Sequence, residues 1–385
     1  MNEINPVDLA AKLIRCPSVT PIDAGALDVL EDALKPLGFT TTRLKFDDVD
    51  NLYAEIGSGD PHFCFAGHTD VVPPGDLSAW TLDPFAGEVR DDRLWGRGAA
   101  DMKAAIAAFV AASARFLKQA PPHGRISLLI TGDEEGQAIN GTRKMLDWLH
   151  VKNIRIDHCL VGEPSNPQSL GEMVKVGRRG SINCWLTVTG QQGHVAYPDR
   201  AANPVPTLLR KLTALTAANL DEGFARFQPS NLEVTDIAIG NVAHNVIPQS
   251  AKARFNIRFN PNWTGASIET KLHEILADVK SDANVETQLE CIVSGEAFLT
   301  TDEPFLQILV GAIEEITGRA PELSTSGGTS DARFIKDIAP VAEFGLIGAT
   351  MHKIDENVPV NDIDLLTDTY ERILTKYFAA TGVTQ

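Results

Sequence analysis

The chain of 385 residues is longer than one ordinary hydrophobic core requires, which predicts two domains or one domain that carries an insertion. A hydrophobic content of 43% and a charged content of 22% are typical of a soluble globular protein and exclude a disordered or fibrous one. A formal net charge of -17 disfavours nucleic acid and anionic membrane as partners, because most of the surface would repel them. Small molecules and proteins remain as partners.

The N-terminus and the cysteines indicate a cytoplasmic protein. Residues 1–10 lack the basic start and apolar run of a secretory signal. The most apolar stretch, residues 104–117, is interrupted by Ser113 and Arg115 and is shorter than the roughly 18 residues that a membrane helix needs. The five cysteines include no C-x-x-C pair, which argues against a disulfide framework and a thiolate zinc site. Any metal should therefore be bound by histidine and carboxylate.

The first part of the chain has the pattern of an α/β domain. Leucines at three- and four-residue spacing predict helix within residues 6–38. Short apolar or β-branched runs predict strands at 40–46, 52–56, 63–66, 126–131 and 158–161, with helices at 102–117 and 141–149. The end of the chain adds a helix at 303–318, a strand at 341–346 and a helix at 362–378. This alternation predicts a mixed, mostly parallel sheet with helices on both faces.

The middle of the chain has a different pattern. Residues 181–294 predict elements in the order β-α-β-β-α-β, which is the ferredoxin-like α+β unit. Because this unit is self-contained, we predict that it is inserted into the first domain. The predicted catalytic domain then consists of residues 1–180 and 295–385.

Five short motifs place histidines and acids directly after predicted strands or in loops. Their potential ligands and bases are His68, Asp70, Asp101, Glu134, Glu135, Glu163 and His352. In open α/β sheets, ligands gather at the carboxyl ends of the strands. Taken singly, each residue has an ordinary explanation, such as a helix N-cap for Asp101 or a surface histidine for His352. Taken as a set, the nitrogen and oxygen ligands match Zn²⁺, Co²⁺ or Mn²⁺.

The spacing within the motifs suggests how the acids divide the chemistry. In an extended chain His68 and Asp70 point to the same side, so Asp70 can accept a hydrogen bond from the imidazole. Asp101 has two carboxylate oxygens and can bridge two metal ions about 3.5–4 Å apart. Of the adjacent Glu134 and Glu135, one can bind metal while the other takes a proton from water.

Together these residues resemble the co-catalytic di-zinc aminoacylase and carboxypeptidase family over essentially the whole chain. The resemblance implies two zinc ions, for which cobalt could substitute. It implies that His68 and Glu163 bind one ion, that Glu135 and His352 bind the other, and that Asp101 bridges them.

The same resemblance implies roles around the metals. Glu134 would be the general base, Asp70 would orient His68, and the peptide bond between Asp101 and Met102 would be cis. The inserted unit would form a homodimer, in which His194 of one subunit completes the site of the other and stabilises the oxyanion.

Longer stretches at 176–181, 190–198, 245–248 and 324–333 are similar to one branch of that family. The branch hydrolyses N-succinyl-diaminopimelate, whose three carboxylates an acidic protein would repel unless cations line the site. The candidate cations are Arg178, Arg258, Arg333 and Lys175, since arginine can bind a carboxylate in a bidentate manner. The candidate neutral donors are Ser181, Tyr197, Asn245 and Thr329.

Three alternatives remain open. An acetylornithine deacetylase or a dipeptidase of the same family would have the same metals and a different pocket, with less need of arginines. A non-catalytic binding protein on this fold would be expected to lack Glu134 or a ligand. A single structural metal is disfavoured, because structural sites usually have closed Cys/His shells.

Overall fold

The computed structural model describes residues 4–119, 123–223 and 226–381. Within these ranges there are nine α-helices and nineteen strands. The helices are α1 (Pro6–Ile14), α2 (Ala26–Leu34), α3 (Ala104–Gln119), α4 (Thr142–Val151), α5 (Pro204–Ala217), α6 (Gly265–Asp278), α7 (Glu303–Thr317), α8 (Ala332–Ile335) and α9 (Val360–Thr381). No helix in the described ranges is long and apolar enough to cross a membrane.

The strands range in length from two to ten residues. They are β1 (Thr40–Phe46), β2 (Val49–Gly57), β3 (His62–His68), β4 (Glu88–Arg90), β5 (Arg93–Trp95), β6 (Arg125–Thr131), β7 (His158–Val161), β8 (Met173–Lys175), β9 (Gly177–Arg178), β10 (Gly180–Thr189), β11 (Gly193–His194), β12 (Asn231–Ala238), β13 (Val246–Ile247), β14 (Ser250–Phe259), β15 (Glu286–Gly295), β16 (Phe298–Leu299), β17 (Glu322–Ser324), β18 (Val341–Glu343) and β19 (Asn357–Pro359).

The chain divides into two compact units. The first contains the described residues up to Val176, the segment Thr300–Ser324 and the residues from Ser330 onward. The second contains Gly177–Leu299 and the short segment Thr325–Thr329. The predicted insertion at 181–294 lies inside the range of the second unit, whereas nothing in the sequence pattern indicates that the short segment belongs with it. The predicted domain boundaries stay a prediction.

The first unit is built on an eight-stranded sheet with the order β1-β2-β6-β3-β7-β18-β8-β17. Four neighbouring pairs are parallel, namely β6–β3, β3–β7, β7–β18 and β8–β17. The other pairs are antiparallel, including the edge pair β1–β2. Helix α3 packs against α1 and α9, while α4 contacts α8 and β6. The predicted mixed, mostly parallel sheet is confirmed.

The centre of the first unit is nearly free of solvent contact. Every residue of β3 is buried, and so are most residues of α3, whose many alanines allow close packing. The rings of Phe65 and Phe109 stack with centroids 4.2 Å apart, and Tyr370 from α9 packs edge-on against both. The carboxyl ends of the central strands are therefore held by a rigid core.

The second unit has one four-stranded antiparallel sheet with the order β12-β14-β10-β15. Helices α5 and α6 contact each other and this sheet. Its core is formed by alternate residues of β10 and β14, such as Cys184, Leu186 and Phe255, together with Leu208 and Leu272 of the helices. The order β-α-β-β-α-β predicted from the sequence is present as β10, α5, β12, β14, α6 and β15.

Other elements differ from the sequence-based expectation. The helix predicted within 6–38 is two helices, because Pro17 and Pro21 lie in the segment between Ile14 and Ala26. The strand predicted at 341–346 ends at Glu343. The short strands β4, β5, β8, β9, β16, β17 and β19 were not predicted, since two or three residues carry too little periodicity.

His62 at the start of β3 gives the fold a pH dependence away from the candidate site. Its Nδ1 lies 2.6 Å from the Arg155 carbonyl and its Nε2 lies 2.7 Å from the Ser127 hydroxyl. Nδ1 must donate to the carbonyl, so Nε2 of the neutral ring accepts from the hydroxyl. Burial lowers the pKa of His62 below 6.5.

We expect the free energy of unfolding to fall as the pH drops from about 7.5 to about 5.5, because the unfolded chain then binds a proton that folded His62 resists. Above the unfolded-state pKa the contribution of the neutral ring is complete, and it is lost towards the lower folded-state pKa. The variant His62→Gln should show a smaller fall. Urea unfolding in the presence of a chelator measures it. His150→Gln, at an exposed position on α4, is the matched control, and an equal fall in the wild type and His62→Gln would contradict the assignment.

Candidate metal centre

Three adjacent strands bring the first group of candidate residues to one edge of the sheet. His68 is the last residue of β3, Glu134 and Glu135 follow β6, and Glu163 follows β7. In the sheet the order is β6-β3-β7 with all three strands parallel, so their carboxyl ends meet.

Asp101 and His352 reach the same edge from turns. Asp101 lies in the tight turn Ala99–Lys103 before α3, and its peptide bond with Met102 is cis, as expected. His352 follows the turn Gly348–Thr350 and has a φ of 60°, in the left-handed region. Both residues therefore reach this edge from loops, because a turn can point a side chain where no strand end is available.

Glycines next to two ligands make room for the Asp101 turn. A Cβ on Gly67 would lie 2.5 Å from Met102 Cε, and one on Gly162 would lie 2.7 Å from the same atom. In this packing the side chain of Met102 occupies the space that a Cβ on either glycine would need, and a Cβ on Gly162 would also lie 2.5 Å from Phe65 Cζ. Their places directly before His68 and Glu163 are explained by this close approach.

The carboxylate of Asp101 lies between the two histidines. Its Oδ1 is 3.1 Å from His68 Nε2, and its Oδ2 is 3.3 Å from His352 Nε2. Glu163 Oε1 lies 3.5 Å from His68 Nε2, while Glu135 Oε1 lies 2.8 Å from His352 Nε2. Each histidine therefore has one terminal carboxylate and one oxygen of the shared aspartate as neighbours.

Two groups of ligand atoms are compact enough to hold a cation. Atoms of His68, Asp101 and Glu135 lie within 4.8 Å of one another, and so do atoms of His68, Glu134 and Glu163. The structure thus brings together all five predicted ligands and the predicted base. Which residue binds and which acts as the base stays a prediction.

Asp70 supports His68 and the Glu134–Glu135 segment in different ways. The Nδ1 of His68 lies 2.9 Å from the backbone carbonyl of Asp70 and 3.6 Å from its carboxylate. The carboxylate accepts the backbone N–H groups of Glu134 and Glu135 at 3.2 and 3.0 Å. The group that orients the imidazole is therefore the backbone carbonyl, while the carboxylate links β3 to the loop after β6.

The crowding of buried charges shifts several pKa values. Burial and, next, the charge of Asp101 raise the pKa of Glu163 to about 7. Burial followed by the charge of Glu163 raises the pKa of Glu134 well above its ordinary value. The hydrogen bonds of His352 with Asp101 and Glu135 raise its pKa to about 10. This group of four carboxylates and two imidazoles is thus short of positive charge.

Opposing effects act on His68 and Asp101. Burial lowers the pKa of His68, but its hydrogen bonds with Asp101 and Glu163 outweigh burial and raise it well above the ordinary value. Burial would raise the pKa of Asp101, but its hydrogen bonds with His352 and His68 hold it well below the ordinary range. The chemistry of this donor set fits two divalent cations, which would satisfy the carboxylates in place of protons.

Seven of the other candidates lie in the second unit, namely His194, Arg178, Ser181, Tyr197, Asn245, Arg258 and Thr329. His194 is exposed in the short pair β11–β13, and its Nδ1 accepts the backbone N–H of Ala196 at 3.0 Å. Tyr197 is exposed, with its ring centroid 5.7 Å from that of His194. Asn245, also exposed, accepts the backbone N–H of Val195 at 3.2 Å.

The remaining candidates of the second unit are more enclosed. Arg178 is buried and donates to the carbonyl of Gly328 at 2.7 Å. Asn256 donates to Ser181 Oγ at 3.2 Å and accepts from Arg258 Nε at 3.1 Å. Thr329 is half-buried in the short segment that belongs to this unit.

Two candidates lie in the first unit. Lys175 at the end of β8 is buried, with Nζ 2.8 Å from Met173 Sδ. The guanidinium of Arg333 lies over the ring of Phe334, 4.6 Å from its centroid.

The structure points to two residues that the sequence analysis did not select. Arg179 donates to Asn231 at 2.9 Å, and burial together with the charge of Arg258 lowers its pKa. Glu356 is buried and accepts hydrogen bonds from the turn that carries Asp101. Its only sequence signal is its place four residues after His352, which has no meaning before the fold is known.

Residues 64–376 match the sequence profile of Peptidase family M20/M25/M40. The chain belongs to this family. Among curated family members, the chain is 58% identical to a succinyl-diaminopimelate desuccinylase of Parvibaculum lavamentivorans over 97% of this chain and 96% of that one. It is also 58% identical to the protein of the same name from Maricaulis maris, again over 97% and 96% of the two chains.

Solved structures of the family are similar in fold. The aminopeptidase PepT of Bacillus cereus has a TM-score of 0.79 at 19% identity, with 98% of this chain and 99% of that chain covered. The YxeP protein of Bacillus subtilis, described as a dinuclear metal binding peptidase of the M20 family, has a TM-score of 0.70 at 14% identity and covers 97% of this chain and 98% of its own. At these identities the likeness establishes the fold alone.

The pKa shifts predict that metal binding at this centre releases protons. The pKa of His352 is about 10 without a metal, so its ring is a cation at neutral pH and must lose a proton to become a ligand. The apparent affinity for zinc should therefore rise as the pH rises from about 6 to about 8. Calorimetric titration of the metal-free protein in buffers of different ionisation enthalpy counts the protons. His273→Gln on α6 is the control; binding without proton release would contradict this account.

Proposed function

We propose that the chain hydrolyses N-succinyl-LL-2,6-diaminopimelate to succinate and LL-2,6-diaminopimelate, in bacterial lysine and diaminopimelate biosynthesis. The substrate is supported by the 58% identity, over nearly the whole length, to proteins that are named succinyl-diaminopimelate desuccinylase. An acetylornithine deacetylase or a dipeptidase of the same family is the alternative.

One observation supports the reaction above all others, and it is the place of the Asp101 carboxylate with one oxygen towards each histidine. In our proposal His68 and Glu163 hold a first metal ion, Glu135 and His352 hold a second, and Asp101 bridges them. We take both ions to be zinc, with cobalt as a possible substitute, because histidine and carboxylate ligands suit both. When bound, the two ions supply Lewis acidity that activates a water and polarises the amide carbonyl.

Glu134 is the proposed general base. Its carboxylate lies within the same compact group of atoms as His68 and Glu163, and burial raises its pKa well above the ordinary value. A carboxylate with raised proton affinity can accept the proton of the attacking water and later donate it to the leaving amine nitrogen. The backbone of Glu134 is held by the Asp70 carboxylate, which limits the positions that the base can adopt.

His194 is proposed to donate a hydrogen bond to the oxyanion of a partner subunit's site in a homodimer formed by the second unit. Its ring is exposed and its Nδ1 is occupied by the N–H of Ala196, so Nε2 is the atom that carries the proton and can donate. Asp70 is proposed to orient the imidazole of His68 by accepting a hydrogen bond from it at its backbone carbonyl.

The proposed substrate is recognised by cations and neutral donors. Arg258 is half-buried, and among the described residues it has no carboxylate partner. A guanidinium without a carboxylate of its own is available for one of the substrate carboxylates. Arg178, Arg333 and Lys175 are proposed to add positive charge, and Ser181, Tyr197, Asn245 and Thr329 to add neutral hydrogen-bonding groups. We place the reaction in the cytoplasm, where biosynthetic amino-acid precursors are made.

An activity panel tests the substrate. With zinc present we expect succinyl-diaminopimelate to be hydrolysed with a kcat/KM at least about 100-fold above that of acetylornithine or a dipeptide, because a charged site rejects analogues that lack the carboxylate. Arg258→Gln should raise KM for the succinyl substrate by about tenfold or more. The matched control is Arg254→Gln on the same strand, whose guanidinium is exposed and paired with Asp236 at 3.2 Å. A preference for acetylornithine or a dipeptide would support the alternative.

Complementation tests the base and the partner histidine together. Glu134→Gln and His194→Ala should each lose turnover by a factor of about 100 or more while the Gln variant retains its metal. When the two inactive chains are co-expressed with different tags, the mixed dimer should regain activity, about a quarter of the wild-type value in a statistical mixture. One site of that dimer has an intact Glu134 and receives an intact His194. If His194 acts within its own chain, mixing restores nothing.

A further inference from the structure

Glu356 joins the two loops that carry the shared aspartate and the second histidine. Its carboxylate is buried, with Oε2 accepting from Arg97 Nη1 at 2.7 Å and from the Gly98 N–H at 3.0 Å. Its Oε1 accepts the backbone N–H groups of Ala100 at 2.8 Å and Asp101 at 3.2 Å. Four donors from one short turn thus converge on a single side chain.

The two loops meet at one strand pair, because the loop of Asp101 follows β5 and the loop of His352 precedes β19. Trp95, the last residue of β5, is paired with Asn357, the first residue of β19. Beyond this pair the backbone N–H of Gly96 donates to the carbonyl of Glu356 at 2.9 Å. Arg97 adds a second tether, because its Nη1 also lies 3.2 Å from the carbonyl of Lys353, directly after the histidine.

The two histidines differ in how they are held. His68 lies at the end of a fully buried strand, and its Nδ1 bonds to the Asp70 carbonyl. The side chain of His352 is 47% exposed, and among the described residues none is hydrogen-bonded to its Nδ1. The orientation of His352 therefore depends on its loop, and the loop is tied to the rest of the site through Arg97 and Glu356.

We propose that Glu356 is a positioning residue that braces the turn of Asp101 against the loop of His352 and thereby sets the affinity for the second metal ion. The inference rests on the two-metal site proposed above. Outer groups that orient metal ligands typically contribute about 10- to 100-fold in metal affinity. The first ion, held by His68 and Glu163, is less dependent on the brace because both residues follow buried strands.

Glu356→Gln tests the proposal with little change in size. One carboxylate oxygen becomes an amide nitrogen, and whichever oxygen is replaced, the amide group then faces N–H donors instead of accepting from them. We expect the second of two cobalt ions to bind roughly 10- to 100-fold more weakly and the first to change far less. The measurement is a cobalt titration of the metal-free full-length protein, followed by visible absorption and by competition with a chelator.

Asp221→Asn in the second unit is the matched control. The carboxylate of Asp221 also accepts four hydrogen bonds, from the N–H groups of Gly223 and Ser230 and from the side chains of Asn260 and Trp263. The variant makes the same chemical change at a site with no part in the metal centre, so both cobalt affinities should stay at their wild-type values. Thermal unfolding of the metal-free variants reports any general loss of stability.

Arg97→Lys keeps the measurement possible if Glu356→Gln does not fold. A lysine retains the positive charge but cannot contact both the Glu356 carboxylate and the Lys353 carbonyl with the same planar group. It should also weaken the second cobalt ion and leave the first nearly unchanged.

The outcomes distinguish a failure of this inference from a failure of the proposed two-metal site. Two cobalt ions in the wild type and a selective loss of the second in the variants would support the brace. Wild-type affinity for both ions in Glu356→Gln, or an equal weakening of both ions, would overturn it and leave the two-metal site standing. A wild-type protein that binds fewer than two cobalt ions would overturn the two-metal site, and the brace with it.

Discussion

The carboxylate of Asp101 lies between two histidines in a site that also contains three glutamates. Much of the first unit holds these side chains in place. Carboxylates repel one another when they are removed from water, and they stay ionised together only if positive charge is supplied. The raised pKa values of Glu163 and Glu134 reflect that shortage, whereas the hydrogen bonds of Asp101 with His352 and His68 hold its pKa below the ordinary range. Carboxylate and imidazole groups in this arrangement suit divalent cations, and one solved member of the M20 family is described as a dinuclear metal binding peptidase.

The protein meets the cost of this arrangement with rigidity on one side and hydrogen bonds on the other. Three of the motifs lie at the carboxyl ends of the adjacent strands β3, β6 and β7, and β3 is entirely buried in the core. The two proposed ligands that lie in or after turns have no such support. Asp101 is held by the cis peptide turn packed against Gly67 and Gly162 and by the acceptors of Glu356, while His352 depends on its loop. The residues at the strand ends are therefore held by the buried core, whereas Asp101 and His352 depend on the contacts of their loops.

The acidic surface and the enclosed arginines have to be considered together. A net charge of -17 disfavours any extended anionic partner, yet the second unit contains Arg178 at the end of β9, Arg179 directly before β10, and Arg258 on β14, which pairs with β10. Burial and then the charge of Arg258 lower the pKa of Arg179, and burial lowers the pKa of Arg258. Local cations within a repelling surface favour a small anion over a large one.

How much of this could be read from the sequence depended on the range of the interaction. Local patterns in the sequence predicted the strands at 40–46 and 158–161 and the ferredoxin-like order of the middle segment. Short motifs likewise identified the five proposed ligands and the proposed base. Periodicity and motifs could do so because they involve only a few neighbouring residues. The strands of two or three residues were not predicted, since their formation depends on pairing partners, whereas the break between α1 and α2 has a local signal in Pro17 and Pro21 that the sequence analysis did not use.

The sequence by itself determined the residue types of the proposed ligands, their order along the chain and, for His68, Glu135 and Glu163, their place at or after the end of a strand. Only the tertiary structure decided that the backbone carbonyl of Asp70, rather than its carboxylate, orients His68, and that Thr325–Thr329 belongs with the second unit. It also decided that Glu356 joins two loops more than 250 residues apart. The physical reason is the same in each case: a buried hydrogen bond is satisfied by whichever group the fold brings within reach, and the chain order carries no record of that distance.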